Sequence, residues 1–448
     1  MSDKIEWILS KSKNCRVIII QLRRKKSNMA IYKFRKQCRL CSNNRFNLVL
    51  DLGKQPPSNA FLSKSQLKKS EKKFPLRLYI CKRCHHLQLR DVVDKKYLFS
   101  HYLYLTSANK PIIDHFQKYA DSVYRQFLKR KKNPFVVEIG SNDGTLLKKF
   151  SKYGVNVLGI EPAKNLAKIS RNSKIKTENS FFSFKLARKI SKKQKADLII
   201  ANNVLGHVDD LNNFIRGISI LLNKNGIFVF EVPHGLEMIK NLEFDTIYHE
   251  HISYFLIEPL SKWLNENDLE IFNIEKQKVH GGTIRVFISR KNIFKIRKSV
   301  ENLKKQEKNY GLNKLQTYMQ FSKRTLNLKL LLMKKIKKFK AKNYSVFGYG
   351  APAKGNVLLN YCKIDHKFLD FITDTTILKQ GKFTPGMHIP IKSPNILKKQ
   401  QSKKSVALLL AWNYKKAIIA KEKKFLSCGG RFLIPIPTLK IIKKNRDG

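Results

Sequence analysis

Pro134-Phe135-Val136-Val137-Glu138-Ile139-Gly140-Ser141-Asn142-Asp143-Gly144-Thr145-Leu146-Leu147 reads as strand, tight loop and helix, and it decides the fold of this 448-residue chain. The apolar run carries a strand into a core. Gly140 lets the backbone approach a ligand, Asn142 or Asp143 tolerates an unusual turn conformation, and Gly144 opens the helix. A second strand, Val155-Asn156-Val157-Leu158-Gly159-Ile160, ends in Glu161, about 20 residues past the first glycine, the separation at which a βαβ unit delivers a carboxylate to ribose hydroxyls.

Working outward, Ala196-Asp197-Leu198-Ile199-Ile200-Ala201 is a strand with Asn202 and Asn203 at its C-terminal end, where open α/β sheets bind ligands. Val204-Leu205-Gly206-His207 extends that rim. Residues 226–233 form another buried strand, and the segments around Ile271 and 283–289 read as a closing pair. A helical connector with Tyr102, Tyr104 and His115 precedes the sheet. Lys-rich helices over 291–342 follow it, with Leu and Ile at helical spacing.

A second strand, glycine turn and helix begins at Tyr344-Ser345-Val346-Phe347-Gly348-Tyr349-Gly350-Ala351-Pro352-Ala353-Lys354-Gly355. A helix N-terminus beside Lys354 suits an anion such as a diphosphate. With residues 370–374, 379–386 and the strand 406–411, it makes a smaller Rossmann-like unit. Between the two α/β units stands Phe244-Asp245-Thr246-Ile247-Tyr248-His249-Glu250-His251-Ile252-Ser253-Tyr254, a cluster of titratable groups among apolar ones. Carbon alkylation next to a carbonyl needs a base and a group to hold the enolate, tasks that His, Glu and Tyr can divide. The H-E-H run lacks the i, i+4 histidine spacing of zinc proteases.

Seven cysteines do not make a disulfide scaffold in a chain this long. Cys38 with Cys41 and Cys81 with Cys84 form two C-x-x-C hooks, and four thiolates are the set a closed structural zinc prefers; two unrelated reduced pairs are the alternative. His85 and His86 then read as neighbours of the site. Hydrophobic residues at 42% place the chain among folded proteins despite a formal charge of +59, from 91 Lys+Arg against 32 Asp+Glu. The lysines recur through nearly every segment, which speaks for a solvated background over a dedicated nucleic-acid footprint. The apolar run at 17–22 is far short of the roughly 20 residues a bilayer span needs, and no signal cleavage site follows it, so a cytoplasmic location is expected.

Taken in order, the paired C-x-x-C with D-L-G-x-Q-P-P-x-N, E-I-G-S-N-D-G-T-L-L, G-I-E-P, N-V-L-G-H-V, Y-H-E-H-x-S-Y, G-Y-G-A-P-A-K-G and K-Q-G-x-x-T-P-G make the chain resemble the sugar C-methyltransferases. Members of that family use S-adenosylmethionine to methylate nucleotide-linked keto-deoxysugars. The resemblance implies an α/β fold: a class I methyltransferase core over 96–290, a zinc module over 36–95, linking helices over 291–342 and a C-terminal Rossmann-like substrate-binding unit over 343–448, with 1–35 as an extension. It implies that Glu138, Gly140, Asn142, Asp143 and Gly144 form the cofactor loop, with Glu161 on the ribose and Asn202 at the rim. Tyr248, Glu250, His251 and His207 would line the catalytic centre. Deprotonation falls to His251, or to His251 acting with Tyr248, and enolate stabilisation or orientation to Glu250 and His207. Tyr104 and the C-terminal unit, with Lys354, would hold the sugar nucleotide. The competing expectations are an RNA or DNA methyltransferase gripping phosphates through its basic surface, and a non-catalytic scaffold that binds S-adenosylmethionine.

Overall fold

The structure, a computed structural model, describes residues 31–99, 105–108, 110–277, 282–400 and 404–444. β1 (Tyr32–Phe34), β2 (Phe46–Gln55), β3 (Phe74–Cys81), β4 (Leu87–Leu89) and β5 (Asp91–Val93) open the chain. β2, β3 and β4 run antiparallel, and β1 pairs with β5 in a separate ribbon. In β3 the burial alternates, with Leu76, Leu78 and Ile80 inside, as a strand with one covered face requires.

The helix Lys110–Val123 leads into the central sheet. Its strands are β6 (Phe135–Ile139), β7 (Asn156–Ile160), β8 (Thr177–Glu178), β9 (Ala196–Ile200) and β10 (Leu222–Pro233). β11 (Ser253–Tyr254) leaves this sheet and pairs with β4, while β12 (Leu269–Gln277) and β13 (Thr283–Arg290) close it. From edge to edge the order is β8-β7-β6-β9-β10-β13-β12. The first five are parallel neighbours, and β13 lies antiparallel between β10 and β12. β6 is wholly buried and β9 nearly so, which is why both read as unbroken apolar runs. Strand order reverses between β6 and β9, the place where such sheets bind ligands.

The helices Lys298–Asn309 and Leu315–Ala341 follow, the second burying Tyr318, Phe321, Thr325, Leu328, Leu332, Ile336 and Phe339 at three- and four-residue steps. Last come β14 (Ser345–Tyr349), β15 (Ile372–Thr373), β16 (Ile391–Lys392), β17 (Ser405–Leu409), β18 (Arg431–Ile434) and β19 (Lys440–Ile442). They are ordered β16-β15-β14-β17-β18-β19, parallel except for the β18/β19 edge pair. Here too the order reverses beside the first strand, at the Gly350 turn.

The sequence leads one to expect a separate core for each unit. The structure departs from this. One apolar cluster runs from Leu76, Leu78 and Leu89 through Phe244, Ile247 and Tyr254 to Val346, Phe347 and Leu408. A four-stranded sheet has too little surface to bury a core alone, so it borrows one from its neighbours. Polar ties reinforce the joint. Leu62 and Phe383 exchange backbone hydrogen bonds of 3.0 and 2.8 Å, Asn356 Nδ2 donates to the Ser58 carbonyl at 2.7 Å, and His388 Nε2 donates to Glu71 at 2.6 Å.

Candidate functional site

The loop after β6 has the conformation its composition calls for: Gly140, Asn142 and Gly144 all have positive φ, at 69°, 52° and 77°. Asn142 takes the left-handed position, and Asp143 supports the turn. Asp143 Oδ1 accepts from the Thr145 N–H at 3.2 Å and from its hydroxyl at 2.5 Å, while Oδ2 accepts from Ser107 N–H at 2.8 Å. Asn142 Oδ1 accepts from Thr106 N–H at 3.1 Å, so the loop also anchors the segment that follows residue 104. Tyr104 itself lies outside the described residues.

Glu161, at the end of β7, accepts from Asn142 N–H at 2.9 Å and from Ala163 N–H at 2.8 Å, and burial holds its carboxyl above the usual range despite those amides. Glu138 is buried too. Burial, then the Asp143 and Glu161 carboxylates, raises its pKa well above the ordinary carboxylate value, and its Oε2 has no hydrogen-bond partner. An unsatisfied buried carboxylate oxygen is a seat for a cationic or N–H group of a ligand. Asn202 Oδ1 accepts from Glu231 N–H at 3.0 Å, leaving its buried Nδ2 without a partner.

These groups open onto a cavity of about 1530 Å³ lined by Glu138, Gly140, Asn142, Glu161 and Asn202, by His207, Tyr248, Glu250 and His251, and by Lys354, Lys379 and Lys421. Asp143 and Gly144 stand behind the loop and are absent from that wall. The volume exceeds the roughly 300–1,000 Å³ of a site for one drug-sized ligand, and so accommodates two reactants side by side. Gly140 also meets a packing limit, because a Cβ there would lie 2.5 Å from Val204 Cγ2. Gly140→Ala is therefore expected to weaken S-adenosylmethionine binding at least tenfold by calorimetry; strain at positive φ alone amounts to about 1–2 kcal/mol.

Opposite the loop, His251 Nδ1–H donates to the Thr246 carbonyl at 3.0 Å, and Nε2 faces the Tyr248 hydroxyl at 2.8 Å. The carbonyl fixes the tautomer, leaving Nε2 as the basic nitrogen. His207 stacks on His251 with ring centroids 5.1 Å apart and on Phe99 at 5.4 Å. Burial drives its pKa down to about 4, so it is neutral near pH 7, and its Nε2 has no hydrogen-bond partner. Glu250 is buried, which raises its pKa, and is held by Asn59 Nδ2 at 3.1 Å and Ser58 Oγ at 3.4 Å. The D-L-G-x-Q-P-P-x-N segment thus reaches from the N-terminal sheet to the 244–254 segment, and Asn59 is a cavity residue the sequence reading did not single out. Glu231 is another, and its partner His115 was read only as part of the helical connector. His115 Nε2 donates to Glu231 at 2.9 Å, and Arg285 pairs with the same carboxylate at 2.7 Å. Burial would raise Glu231, but those two partners hold it below the usual value. The only sequence hint was a histidine on the amphipathic connector.

In the second glycine turn, Asp374 Oδ2 accepts from Ala351 N–H at 2.6 Å, as Glu161 does from Asn142 in the first. Lys354 Nζ sits 3.9 Å from the Trp412 ring centroid, at the cavity wall. Away from the cavity, the Sγ atoms of Cys38, Cys41, Cys81 and Cys84 all lie within 4.8 Å of one another, with Cys38–Cys84 and Cys41–Cys81 at 3.6 Å. A tetrahedral zinc with Zn–S near ~2.3 Å separates its sulfurs by about 3.8 Å, so the set fits the ion. Gln88 Nε2 donates to Cys38 Sγ at 3.1 Å and Asn43 Nδ2 to Cys81 Sγ at 3.4 Å, the outer hydrogen bonds such thiolates take. His86 is no ligand; its Nε2 faces Ser253 Oγ at 3.3 Å. No helix among the described residues is long and apolar enough to cross a membrane.

An antiparallel strand inserted between the fifth and the last strand of an otherwise parallel sheet, with an acid after the second strand and a glycine loop after the first, defines a class I S-adenosylmethionine-dependent methyltransferase. Family models match along the chain: a zinc binding domain at 38–99, a methyltransferase domain at 113–274 and a C-methyltransferase C-terminal domain at 278–437. The C-methyltransferase NovU of Streptomyces niveus is 35% identical over 411 residues, 91% of this chain and 96% of that protein. The chain belongs to the S-adenosylmethionine-dependent C-methyltransferase family. A ubiquinone biosynthesis O-methyltransferase of Pelagibacter ubique (strain HTCC1062) is 26% identical over 136 residues, covering 30% of this chain and 55% of its own length. Among solved structures, an S-adenosylmethionine-dependent methyltransferase from Clostridium acetobutylicum ATCC 824 covers 39% of this chain and 92% of its own at 14% identity, with a TM-score of 0.32.

Proposed function

We propose that this enzyme methylates a carbon beside the ketone of a nucleotide-linked keto-deoxysugar. The observation that carries the reading is the single cavity in which the cofactor loop, the Tyr248–His251 pair and the Lys354 ammonium share a wall. S-adenosylmethionine supplies an electrophilic methyl group when bound. Glu161 would hold its ribose and Glu138, through the unsatisfied Oε2, its ammonium, with Asn202 Nδ2 turned to the same space.

At the acceptor, the Tyr248–His251 pair takes the proton from the carbon beside the ketone, with His251 Nε2 as its final seat. The Nδ1–H bond to Thr246 leaves that nitrogen basic. His207, neutral and with a free Nε2, donates to the enolate oxygen. Glu250, fixed by Asn59 and Ser58, orients the acceptor. Lys354, with Lys379 and Lys421 on the same wall, offsets the diphosphate charge. The carbanion would then meet the methyl carbon in line, the new C–C bond forming as the S–CH3 bond breaks and leaves its electron pair on sulfur, and the alignment these residues impose supplies much of the acceleration.

Incubation with ¹³C-methyl S-adenosylmethionine and a panel of dTDP-4-keto-6-deoxysugars is expected to give a carbon-bound ¹³C-methyl product by NMR. Tight cofactor binding with no turnover of any ketosugar would overturn the proposal.

A further inference from the structure

Trp412 stands three residues past Leu409, the end of β17 in the C-terminal sheet, yet its indole reaches the 244–254 segment. Its Nε1–H donates to Asp245 Oδ2 at 2.7 Å, with Trp412 nearly and Asp245 fully buried. Asp245 lies in the 3-10 turn Phe244–Thr246, and Thr246 is the residue whose carbonyl holds His251 Nδ1–H. Over the face of the indole stands the Lys354 ammonium, 3.9 Å from the ring centroid. Burial pushes Asp245 up to about 6, and Lys354 and the indole bond work against that rise; burial lowers Lys354, opposed by Asp245 and Glu243. A buried carboxylate bonded to a residue of another unit is costly to separate from its partner, so the contact fixes the register between the two.

We propose that Asp245 and Trp412 are positioning residues: their hydrogen bond seats the Thr246 carbonyl that sets the His251 tautomer, and Lys354 ties this bond to acceptor occupancy. This rests on His251 acting as the base. The geometry is local and continuous. A shift of the C-terminal sheet moves the indole, the indole moves Asp245, and the next residue carries the carbonyl. An acceptor phosphate arriving at Lys354 reaches that chain through the ring on which the ammonium sits.

Full-length Trp412→Phe keeps a ring under Lys354 and deletes the N–H. It is expected to lower kcat by about thirtyfold or more, since a misplacement near 1 Å can cost on the order of 100-fold. KM for the ketosugar that turned over above and the affinity for S-adenosylmethionine should hold within about threefold. In ¹⁵N-histidine NMR the His251 resonances should move toward a tautomer mixture. Asp245→Ala should behave in the same way, and Asp245→Asn, which keeps an acceptor for the indole, should restore most of kcat and the wild-type His251 resonances. Unchanged kcat and His251 resonances in Trp412→Phe, or a loss confined to KM, would overturn the proposal. Should Trp412→Phe fail to fold, the Asp245→Ala and Asp245→Asn pair decides by the same readouts. Full activity in His251→Gln would instead strike the base assignment, while the His251 resonances of the Trp412 and Asp245 variants would still read the coupling.

Discussion

His251→Gln is expected to cut methyl transfer by about 10³-fold, with S-adenosylmethionine affinity unchanged within about twofold, because general-base catalysis typically contributes 10²–10⁴. Glutamine carries a polar amide to the position of Nε2 but has no basic nitrogen, so the loss reads the basicity of the imidazole. Tyr248→Phe should fall less far, since it removes the hydroxyl facing Nε2 and leaves the imidazole in place. The ratio of the two defects, from single-turnover rates, tells whether tyrosine relays the proton. Equal rates for His251→Gln and the parent would place the base elsewhere in the cavity.

Cys81→Ser is expected to release the zinc and with it most of the activity. Cys81 is buried at the end of β3, and Gln88 of β4 donates to Cys38, so the four thiolates and the sheet define each other's positions. Structural zinc in small modules contributes about 10–16 kcal/mol of binding energy that is also folding energy. Loss of the ion is therefore expected to fray β4, and β4 is the partner of β11, which closes the 244–254 segment proposed to carry the base. Metal analysis should fall from one zinc per chain to near zero, the melting temperature should drop by several degrees or more, and Glu250 should lose its Asn59 and Ser58 partners. A zinc-free variant with parental stability and rate would show that the module is dispensable.

The glycine loops were legible because left-handed backbone admits few residue types. Gly140, Asn142 and Gly144 stand where the turn needs them, and the acid Glu161 directly follows β7, as read from the sequence. β6 and β9 were legible as strands from their continuous apolar runs. What the sequence did not disclose were contacts between distant segments, which leave no periodic trace. The pairing of β11 with β4, the Asn59–Glu250 bond and the Glu231 pair with His115 and Arg285 each join residues more than fifty positions apart. Nor was the shared core visible, since local alternation in β3 says which face is covered without saying by what.

The ties from Leu62, Ser58 and Glu71 to Phe383, Asn356 and His388 bear on how such enzymes diversify. Grafting a foreign C-terminal half after residue 343 would sever all of them, exposing apolar surface on both pieces. Recombination within the family therefore has to exchange the 58–71 turn together with the C-terminal half, a two-fragment swap in which neither donor loop nor metal centre need change.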